Sequence, residues 1–202
     1  MLVSDREGQP IGVILAGGVG RRIGGDKAIV ALRGRPLISY PLQAMGIVTP
    51  DLAVVAKSET NLPDLRGVPV WLEPERPRHP LVGIVHALQQ AQGRPVLVCA
   101  ADMPLITAAA LRSLASADPG AAPAVIAISD GALQPQLGLY LPAAGQLLAR
   151  AAQAADQPLR AAVAALEPAL VEVPERVLFN VNTPEDLARC ERLLEGLERL
   201  GP

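Results

Sequence analysis

A glycine-rich stretch with three cations follows the first apolar run of the chain. The run 11–16 is short and rich in β-branched residues, which is typical of a buried strand. The stretch 17–27 then holds five glycines together with Arg21, Arg22 and Lys27. Glycines let backbone N–H groups approach a phosphate closely, and cations beside them neutralise its charge. The pattern predicts a phosphate-binding loop, and a plain connector with solvated arginines is the alternative.

The choice of lysine at position 27 adds to this prediction. Of the 18 basic residues only Lys27 and Lys57 are lysines, so the chain generally uses arginine for positive charge. A lysine ammonium is a compact point charge that suits a phosphate oxygen. Lys27 is therefore predicted to bind phosphate.

Two well-known phosphate motifs do not fit these residues. A P-loop requires a hydroxyl residue after its lysine, whereas Ala28 follows Lys27. A Rossmann fingerprint requires GxGxxG and an acidic residue at the end of the second strand. Here Gly24 comes one residue late, and the second predicted strand ends at Ala56 and Lys57. Dinucleotide binding is therefore not expected.

A second candidate for chemistry is Asp102, which follows the apolar run 95–101. Ligand sites of open α/β sheets lie at the carboxyl ends of the strands. An aspartate there can hold Mg²⁺ together with a substrate phosphate, since Mg²⁺ favours one or two carboxylates plus phosphates. An aspartate that only forms a turn before Pro104 is the alternative. If the first strand and this strand are neighbours, the glycine-rich stretch and Asp102 lie at one crevice.

Composition excludes several other classes of function. The chain has 202 residues, 50% of them hydrophobic, and a formal net charge of −2. Nucleic acid and acidic membranes require a basic face, and no lysine or arginine cluster provides one. No apolar stretch reaches about 18 residues, the length that spans a bilayer. The two cysteines show neither a disulfide framework nor zinc-site spacing. A cytoplasmic protein of one domain, 1–202, without nucleic-acid or membrane partners is predicted.

Short apolar runs alternate with segments long enough for helices. Near-continuous apolar runs such as 96–100 are typical of parallel strands covered on both faces. The alternation predicts an α/β fold of three layers, with a mostly parallel sheet and helices on both faces. The last helix is predicted to follow Thr183 as N-cap, with Pro184 at its first position. The predicted strands are 11–16, 52–56, 68–72, 95–101, 124–128, 138–141 and 170–173, and the predicted helices are 37–45, 81–91, 108–117, 143–154, 159–166 and 184–200.

Three motifs of this chain resemble those of one known family. The family's LAGGxxxRMGxxK pattern is present as 15–27, with Ile23 in place of methionine, and its strand-end Asp-x-Pro as 102–104. Its late signature NVNTPE is present unbroken as 180–185. The sequence is therefore similar to the molybdenum cofactor guanylyltransferase (MobA) family, nucleotidyltransferases of the glycosyltransferase-A-like α/β fold. The resemblance covers nearly the whole chain, in the same order.

The resemblance implies an activity and its small-molecule partners. The reaction would transfer GMP from GTP to the terminal phosphate of molybdopterin carrying molybdenum, with release of pyrophosphate. The product would be molybdopterin guanine dinucleotide, and Mg²⁺ would be the metal. Transient contacts with other proteins of molybdenum cofactor biosynthesis, or with acceptor proteins, are also implied.

The resemblance assigns roles to individual residues. Lys27, Arg22 and Asp102 would be catalytic, and Asp102 would hold the metal. The two asparagines of the NVNTPE signature would face the acceptor, and the alternative is that they satisfy backbone groups at the start of the last helix. The acceptor would be bound by Gly25, Asn180 and Asn182, and the nucleotide by Leu15, Ala16, Gly17, Gly18, Lys27, Glu73 and Asp102.

Three positions depart from the family pattern. Ala56, followed by Lys57, stands where an asparagine commonly contacts the nucleotide. The acidic residue after the third strand is Glu73 rather than aspartate. In the loop that lines the base pocket, His79 replaces a glycine. We interpret His79 as an exposed loop residue, with a base contact as the alternative. These departures concern the choice of nucleotide and not the transfer chemistry.

Three other functions are alternatives. A CTP-dependent molybdopterin cytidylyltransferase resembles this family but usually has LAAG where this chain has LAGG at 15–18, and the second glycine favours guanine. Another small nucleotidyltransferase, acting on a sugar 1-phosphate, would normally be longer. A catalytically silent nucleotide-binding module is the most distant alternative, since folding does not require Arg22, Lys27 and Asp102 at a strand edge.

Overall fold

The computed structural model describes residues 8–18, 27–77, 79–153 and 157–199. Strands and helices alternate along most of this length. The strands are β1 (Ile11–Leu15), β2 (Ala31–Leu32), β3 (Arg35–Pro36), β4 (Leu52–Ala56), β5 (Val70–Leu72), β6 (Val96–Ala100), β7 (Ala124–Ser129), β8 (Ala132–Tyr140) and β9 (Ala169–Glu172). The helices are α1 (Ser39–Gly46), α2 (Pro80–Gln90), α3 (Ala108–Ser116), α4 (Ala144–Gln153), α5 (Leu159–Ala164) and α6 (Pro184–Arg199), with 3₁₀ helices at Lys27–Ile29 and Glu175–Leu178.

Seven of these strands form one sheet, in the order β5-β4-β1-β6-β8-β7-β9. β5, β4, β1 and β6 pair in parallel, and β9 pairs in parallel with β7. Among the described strands of this sheet, β8 alone runs antiparallel to its neighbours. The mostly parallel α/β sheet predicted from the sequence is confirmed, and β1 and β6 are neighbours as expected.

Helices cover both faces of the sheet because its central strands are apolar on both faces. On one face, Ile14 and Leu97 pack with buried residues of α1 and α3. On the other face, Val13 and Val98 pack with α2, α4 and α5. Every position of β6 is buried, as expected of a strand between two helical layers. This packing holds β1 and β6 side by side, so the residues that follow both strands meet at one edge of the sheet.

A third, smaller hydrophobic cluster joins two distant parts of the chain. Leu32 and Leu37, from the β2–β3 region, pack with Leu105, Val181 and Cys190. The β2–β3 hairpin is not predicted by the sequence, because two-residue strands show no alternation that could be recognised. Through this cluster, the segment before α6 lies beside the region that follows the glycine-rich stretch.

β8 is longer than the strand that the sequence predicts. It spans Ala132–Tyr140, whereas the apolar pattern indicates only 138–141. Gln134 and Gln136 interrupt the apolar pattern of its first half. The predicted strand was therefore too short because pairing with β7, and not side-chain hydrophobicity, extends β8.

The hairpin between β7 and β8 contains a tight turn and a bulge. Asp130 and Gly131 join the strands with φ values of 48° and 73°. Two positive φ values are what a two-residue hairpin turn requires, and an Asp-Gly pair tolerates them well. Farther along, Ile126 pairs with Gly138 whereas the next residue of β7 pairs with Gln134. The intervening residues of β8 form the bulge, which we call the β8 bulge.

The start of α6 confirms the predicted N-cap. Thr183 Oγ1 accepts a hydrogen bond from the backbone N–H of Asp186 at 3.2 Å. In return, Asp186 Oδ2 accepts hydrogen bonds from the backbone N–H groups of Asn182 and Thr183, at 2.9 and 3.0 Å. These bonds, the one from Asn182 above all, lower the pKa of Asp186. The reciprocal cap holds the backbone of Asn182 in place.

The other predicted strands and helices are present, with ends that differ by at most two residues from those predicted. Within the described ranges, no helix is both long enough and apolar enough to cross a membrane.

Candidate active site

A cleft of about 350 Å³ lies at the carboxyl ends of β1, β4 and β6. Open α/β sheets place their ligands at this edge. Residues at and after the ends of these strands line the cleft, together with Lys27, Glu73 and Gln136. The first residues of α2 complete the lining. The cleft is therefore built from segments that the sheet brings together from most of the chain.

Three polar side chains from distant parts of the sequence meet at one end of this cleft. Lys27 Nζ donates hydrogen bonds to Asp102 Oδ2 at 2.8 Å and to Asn182 Oδ1 at 2.6 Å. Lys27, the last residue of the glycine-rich stretch, opens a 3₁₀ helix, and Asp102 follows β6. The backbone N–H of Val181 donates to the carbonyl of Asp102 at 2.9 Å, which ties the segment before α6 to the end of β6. We call Lys27, Asp102 and Asn182 the Lys27 cluster.

The ion pair in the Lys27 cluster is accessible to solvent. The side chains of Lys27 and Asp102 are 17% and 21% exposed. Water therefore screens their attraction, and a more highly charged ligand can replace it. Asn182 uses its side-chain oxygen on Lys27, while Thr183 and Asp186 cap α6. The alternative of a purely local role for the Asn182 side chain is therefore wrong.

A second ion pair lines the cleft and is buried. Lys57 Nζ lies 3.3 Å from Glu73 Oε1 and donates a hydrogen bond to the carbonyl of Pro74 at 2.6 Å. Burial raises the pKa of Glu73, and the neighbouring Lys57 ammonium opposes that rise. Lys57 follows β4 and Glu73 follows β5, and these two strands pair in parallel. The pairing of the strands therefore brings the two charges together.

Two glycines make room for the Glu73 carboxylate. A Cβ at Gly17 would overlap Glu73 Oε1, and a Cβ at Gly83 would lie 3.0 Å from Glu73 Oε2. Gly17 follows β1, whereas Gly83 lies in α2. The carboxylate is thus packed between the end of a strand and a helix. At Gly18, by contrast, a Cβ would meet no described atom within 4 Å.

Replacement of Gly17 by alanine is expected to destabilise the protein by about 1–3 kcal/mol, the usual cost of overpacking. The carboxylate cannot move away freely, because its ion pair with Lys57 holds it. Thermal unfolding of Gly17→Ala checks this, with Gly18→Ala as the matched control. In a Glu73→Ala background the same Gly17 substitution should cost nothing, and equal unfolding temperatures for the two glycine variants would contradict the predicted overlap.

His79 is half-buried and caps α2. Its Nδ1 accepts a hydrogen bond from the backbone N–H of Leu81 at 3.2 Å, and the residue lines the cleft. The cap satisfies one of the N–H groups that a helix start leaves without a partner. The interpretation of His79 as an exposed loop residue is therefore wrong. The sequence gives little sign of this role, because histidine is not among the preferred capping residues.

A second cleft, of about 340 Å³, shares Gln136 with the first. Gln136 belongs to the β8 bulge, and the other lining residues include Met103, Asn180 and the exposed Arg160. Because the two clefts share one residue, they lie next to each other. Asn180 thus lines the second cleft, whereas Asn182, only two positions further along the sequence, bonds to Lys27.

Most of the predicted site residues come together in the structure. The residues that the family resemblance assigns to nucleotide binding all line the first cleft. Asn182 does not line this cleft itself but accepts a hydrogen bond from Lys27, which does. Asn180 lines the second cleft. Arg22 and Gly25 lie outside the described residues. The binding roles of all these residues stay predictions.

Lys57, Gln136 and Arg160 line the clefts, and sequence reasoning assigns none of them a role. Lys57 carries a signal that could have identified it, since it is one of only two lysines and directly follows an apolar strand. Gln136 and Arg160 carry no such signal. Their positions depend on the β8 bulge and on the place where α5 packs, which no local pattern shows.

Of the two described carboxylates that line the first cleft, Asp102 is the one that fits a divalent cation. Glu73 is buried against Lys57, whereas Asp102 is partly exposed beside the amide of Asn182. In the described part of the chain, no three His, Cys, Asp or Glu side chains come together as a metal-binding group. One accessible carboxylate suits Mg²⁺, which commonly completes its coordination with substrate phosphates and water.

A mostly parallel sheet with glycines and an aspartate directly after adjacent strands, and a lysine bonded to that aspartate, is typical of α/β nucleotide-binding proteins. Comparison with known families identifies the chain more closely. It belongs to the family of the MobA-like NTP transferase domain, whose sequence model matches residues 12–173.

Individual relatives carry names that match this family. The molybdenum cofactor guanylyltransferase of Cereibacter sphaeroides is 36% identical over 188 residues, covering 91% of this chain and 96% of that protein. A probable molybdenum cofactor guanylyltransferase of Chloroflexus aggregans is 36% identical over 198 residues, covering 91% and 94%. Among solved structures, the molybdopterin-guanine dinucleotide biosynthesis protein A of Archaeoglobus fulgidus has a TM-score of 0.73 at 26% identity, covering 92% of this chain and 99% of that one. The 2-C-methyl-D-erythritol 4-phosphate cytidylyltransferase of Thermus thermophilus, 20% identical over 91% of this chain and 98% of that one, shares the fold with a TM-score of 0.67.

Proposed function

We propose that this protein transfers GMP from GTP to the terminal phosphate of molybdopterin carrying molybdenum, forming molybdopterin guanine dinucleotide and releasing pyrophosphate. The observation that carries the proposal is the Lys27 cluster. Its residues come from the glycine-rich stretch, the end of β6 and the NVNTPE segment, and hydrogen bonds of 2.8 and 2.6 Å join them. The names of the relatives at 36% identity support guanine as the base.

The triphosphate of GTP would lie at the Lys27 end of the cleft. Gly18 has no side chain, and no described atom lies within 4 Å of the place where its Cβ would be, so a phosphate could approach the backbone there closely. The ammonium of Lys27 is partly exposed and can turn from Asp102 to a phosphate oxygen. Arg22 would add a second cation from the glycine-rich stretch.

The reaction joins two anions, so positioning and charge neutralisation dominate it. An oxygen of the acceptor's terminal phosphate attacks the α-phosphorus of GTP and forms the new bond. The bond from that phosphorus to the oxygen that bridges to the β-phosphate breaks, and pyrophosphate leaves with its electron pair. Lys27 neutralises part of the charge on the phosphate oxygens during this exchange.

Asp102 would hold Mg²⁺. When bound, the ion would neutralise charge on the phosphates of the nucleotide and on the departing pyrophosphate. Asp102 and Lys27 pair with each other in the free protein. When substrate binds, Lys27 would exchange Asp102 for a phosphate oxygen, and Asp102 would exchange Lys27 for Mg²⁺.

The acceptor would occupy the second cleft. Arg160 is an exposed cation there, which suits an anionic acceptor, and Asn180 offers an amide to it. Gln136 lines both clefts and so marks the place where the acceptor phosphate would meet the nucleotide. Gly25 and Asn182 would complete the acceptor side. We place the reaction in the cytoplasm and infer transient contacts with other molybdenum cofactor proteins, which would deliver the acceptor or receive the product.

Nucleotide selectivity tests this proposal most directly. In calorimetric titrations with Mg²⁺, we expect GTP to bind at least about tenfold more tightly than CTP, ATP or UTP, because a polar base site rejects bases that leave its groups unpaired. Pyrophosphate release should require both GTP and molybdopterin carrying molybdenum.

Each competing function gives a different result in the same assays. A preference for CTP would favour a cytidylyltransferase. Turnover with a sugar phosphate in place of the pterin would favour another nucleotidyltransferase. Tight GTP binding without turnover on any acceptor would favour a silent nucleotide-binding module.

A further inference from the structure

Lys57 and Glu73 form a buried ion pair that the transfer chemistry does not use. Lys57 is 4% exposed and Glu73 is 8% exposed. Taking two charges out of water costs free energy that their mutual attraction only partly returns. A hydrophobic pair of similar volume would often stabilise the protein equally well. Stability alone therefore does not explain the pair.

Both charged side chains line the cleft, and their positions are fixed. Lys57 is held by the carbonyl of Pro74 and by Glu73 Oε1. Glu73 is held between Gly17 and Gly83, whose missing side chains leave just enough room for its carboxylate. A fixed donor beside a fixed acceptor is therefore available at the wall of the cleft.

The distance between the ion pair and the Lys27 cluster fits the distance between the base and the phosphates of a nucleotide. The strand order β6-β1-β4-β5 separates the residues that follow β6 and β5 by three strand spacings, about 14 Å. Asp102 and Glu73 are these residues. With the phosphates at the Lys27 cluster, the ribose and base extend toward Glu73. The opposite charges of Lys57 and Glu73 offset each other, which suits a neutral base better than a second phosphate.

We propose that Lys57 determines the choice of guanine by donating a hydrogen bond to O6 of the base, while Glu73 accepts hydrogen bonds from N1–H and the exocyclic amine. This inference rests on the proposed function, because it assigns the base end of the same nucleotide site. Guanine presents O6 as an acceptor and its exocyclic amine as a donor. An ammonium carries only donors and an ionised carboxylate only acceptors. The ion pair is thus the complement of this edge of guanine.

The other bases match the ion pair less well. Adenine and cytosine each present an amine where guanine presents O6. That amine would face the Lys57 ammonium, so two donors would meet and neither would be satisfied. Uracil offers a carbonyl oxygen and an N–H group but lacks the exocyclic amine that Glu73 accepts from. A site that leaves a buried charged group without a partner rejects such bases strongly.

Base analogues combined with Lys57→Met test this assignment. Methionine fills a similar volume and removes the ammonium. Inosine triphosphate retains O6 and N1–H, whereas 2-aminopurine riboside triphosphate lacks both O6 and N1–H and retains the exocyclic amine. We expect Lys57→Met to weaken binding of GTP and of inosine triphosphate by about 10- to 100-fold, the range for a lost hydrogen bond to a charged group. Binding of the 2-aminopurine analogue should not weaken. Calorimetry with Mg²⁺ measures all three.

Two further variants separate recognition from folding. Lys57→Met leaves Glu73 buried without its cation, whereas Lys57→Met/Glu73→Gln removes both charges and avoids that cost. The preference for GTP over the 2-aminopurine analogue should shrink in the double variant as it does in the single variant. Arg94→Met is the matched control, since it breaks the ion pair of Arg94 with Asp51 outside the cleft. The control should keep the preference of the wild-type protein.

Each outcome decides the assignment. Equal losses of affinity for GTP and for the 2-aminopurine analogue in Lys57→Met would overturn the assignment, because they would indicate a purely structural role for Lys57. Unchanged binding of all three nucleotides would overturn it too. Failure of the proposed function is distinguishable, because the wild-type protein would then show no preference for GTP over CTP, ATP and UTP, and the assignment of Lys57 would fall with it.

Discussion

Replacement of Asp102 by alanine is expected to slow GMP transfer by at least about a thousandfold, because the loss of several kcal/mol of charge stabilisation corresponds to that factor. Asp102 is the accessible carboxylate of the first cleft and lies 2.8 Å from Lys27 Nζ. Its side chain is 21% exposed, so losing the pair should cost about 1–3 kcal/mol of stability, between the usual values for an exposed pair and for a buried one. The variant should therefore fold and still fail to turn over.

Pyrophosphate release with Mg²⁺, measured beside thermal unfolding, checks the effect of Asp102→Ala. Asp51→Ala is the matched control, because Asp51 also forms a 2.8 Å ion pair, with Arg94, but precedes β4 and does not line the cleft. The control should keep its turnover. A well-folded Asp102→Ala protein that transfers GMP at the wild-type rate would remove Asp102 from the reaction.

Replacement of Lys27 by methionine is expected to reduce kcat/KM for GTP by about 100- to 1000-fold. This is the usual effect of removing one hydrogen-bond donor that stabilises the charge developing in the transition state. In the free protein its ammonium bonds to Asp102 and Asn182. The side chain is 17% exposed, so nucleotide phosphates can reach it. Lys27→Arg keeps the charge but not the compact ammonium, and we expect activity between those of the wild type and Lys27→Met.

The same substitution should have the opposite effect on metal binding. Without nucleotide, Lys27→Met is expected to bind Mn²⁺ more tightly than the wild type, because the ammonium no longer competes for Asp102. Calorimetric titrations with Mn²⁺ alone and with GTP measure both effects. If Lys27→Met and the wild type have the same GTP affinity, Lys27 does not bind the nucleotide.

The Lys27 end of the site could be predicted because two strong local patterns lead to it. Buried parallel strands are recognisable as apolar runs, and the residues after them lie at one sheet edge. The glycine-rich stretch follows β1 and Asp102 follows β6, so neighbouring strands bring Lys27 and Asp102 together. The cap of α6 was predictable for the same kind of reason, since Thr183 and Pro184 form a local signal.

The rest of the site depends on tertiary packing that no local pattern shows. The contact of Lys57 with Glu73 requires the pairing of β4 with β5. It also requires room beside the carboxylate, which Gly17, after β1, and Gly83, in α2, provide. The first half of β8 was missed because its pairing with β7 outweighs its polar residues. His79 was misinterpreted because its capping role depends on where its side chain points.

The hydrogen bond between Lys27 and Asn182 joins residues 155 positions apart in the chain. Protein chains are made from the amino end, and the parts made first begin to fold first. All nine described strands precede Asn182, so the ribosome has produced the whole sheet before this residue emerges. A partly synthesised chain can thus form the sheet edge, but it lacks the residue that completes the Lys27 cluster. The capacity to bind and react is therefore acquired late in synthesis, after the scaffold that supports it.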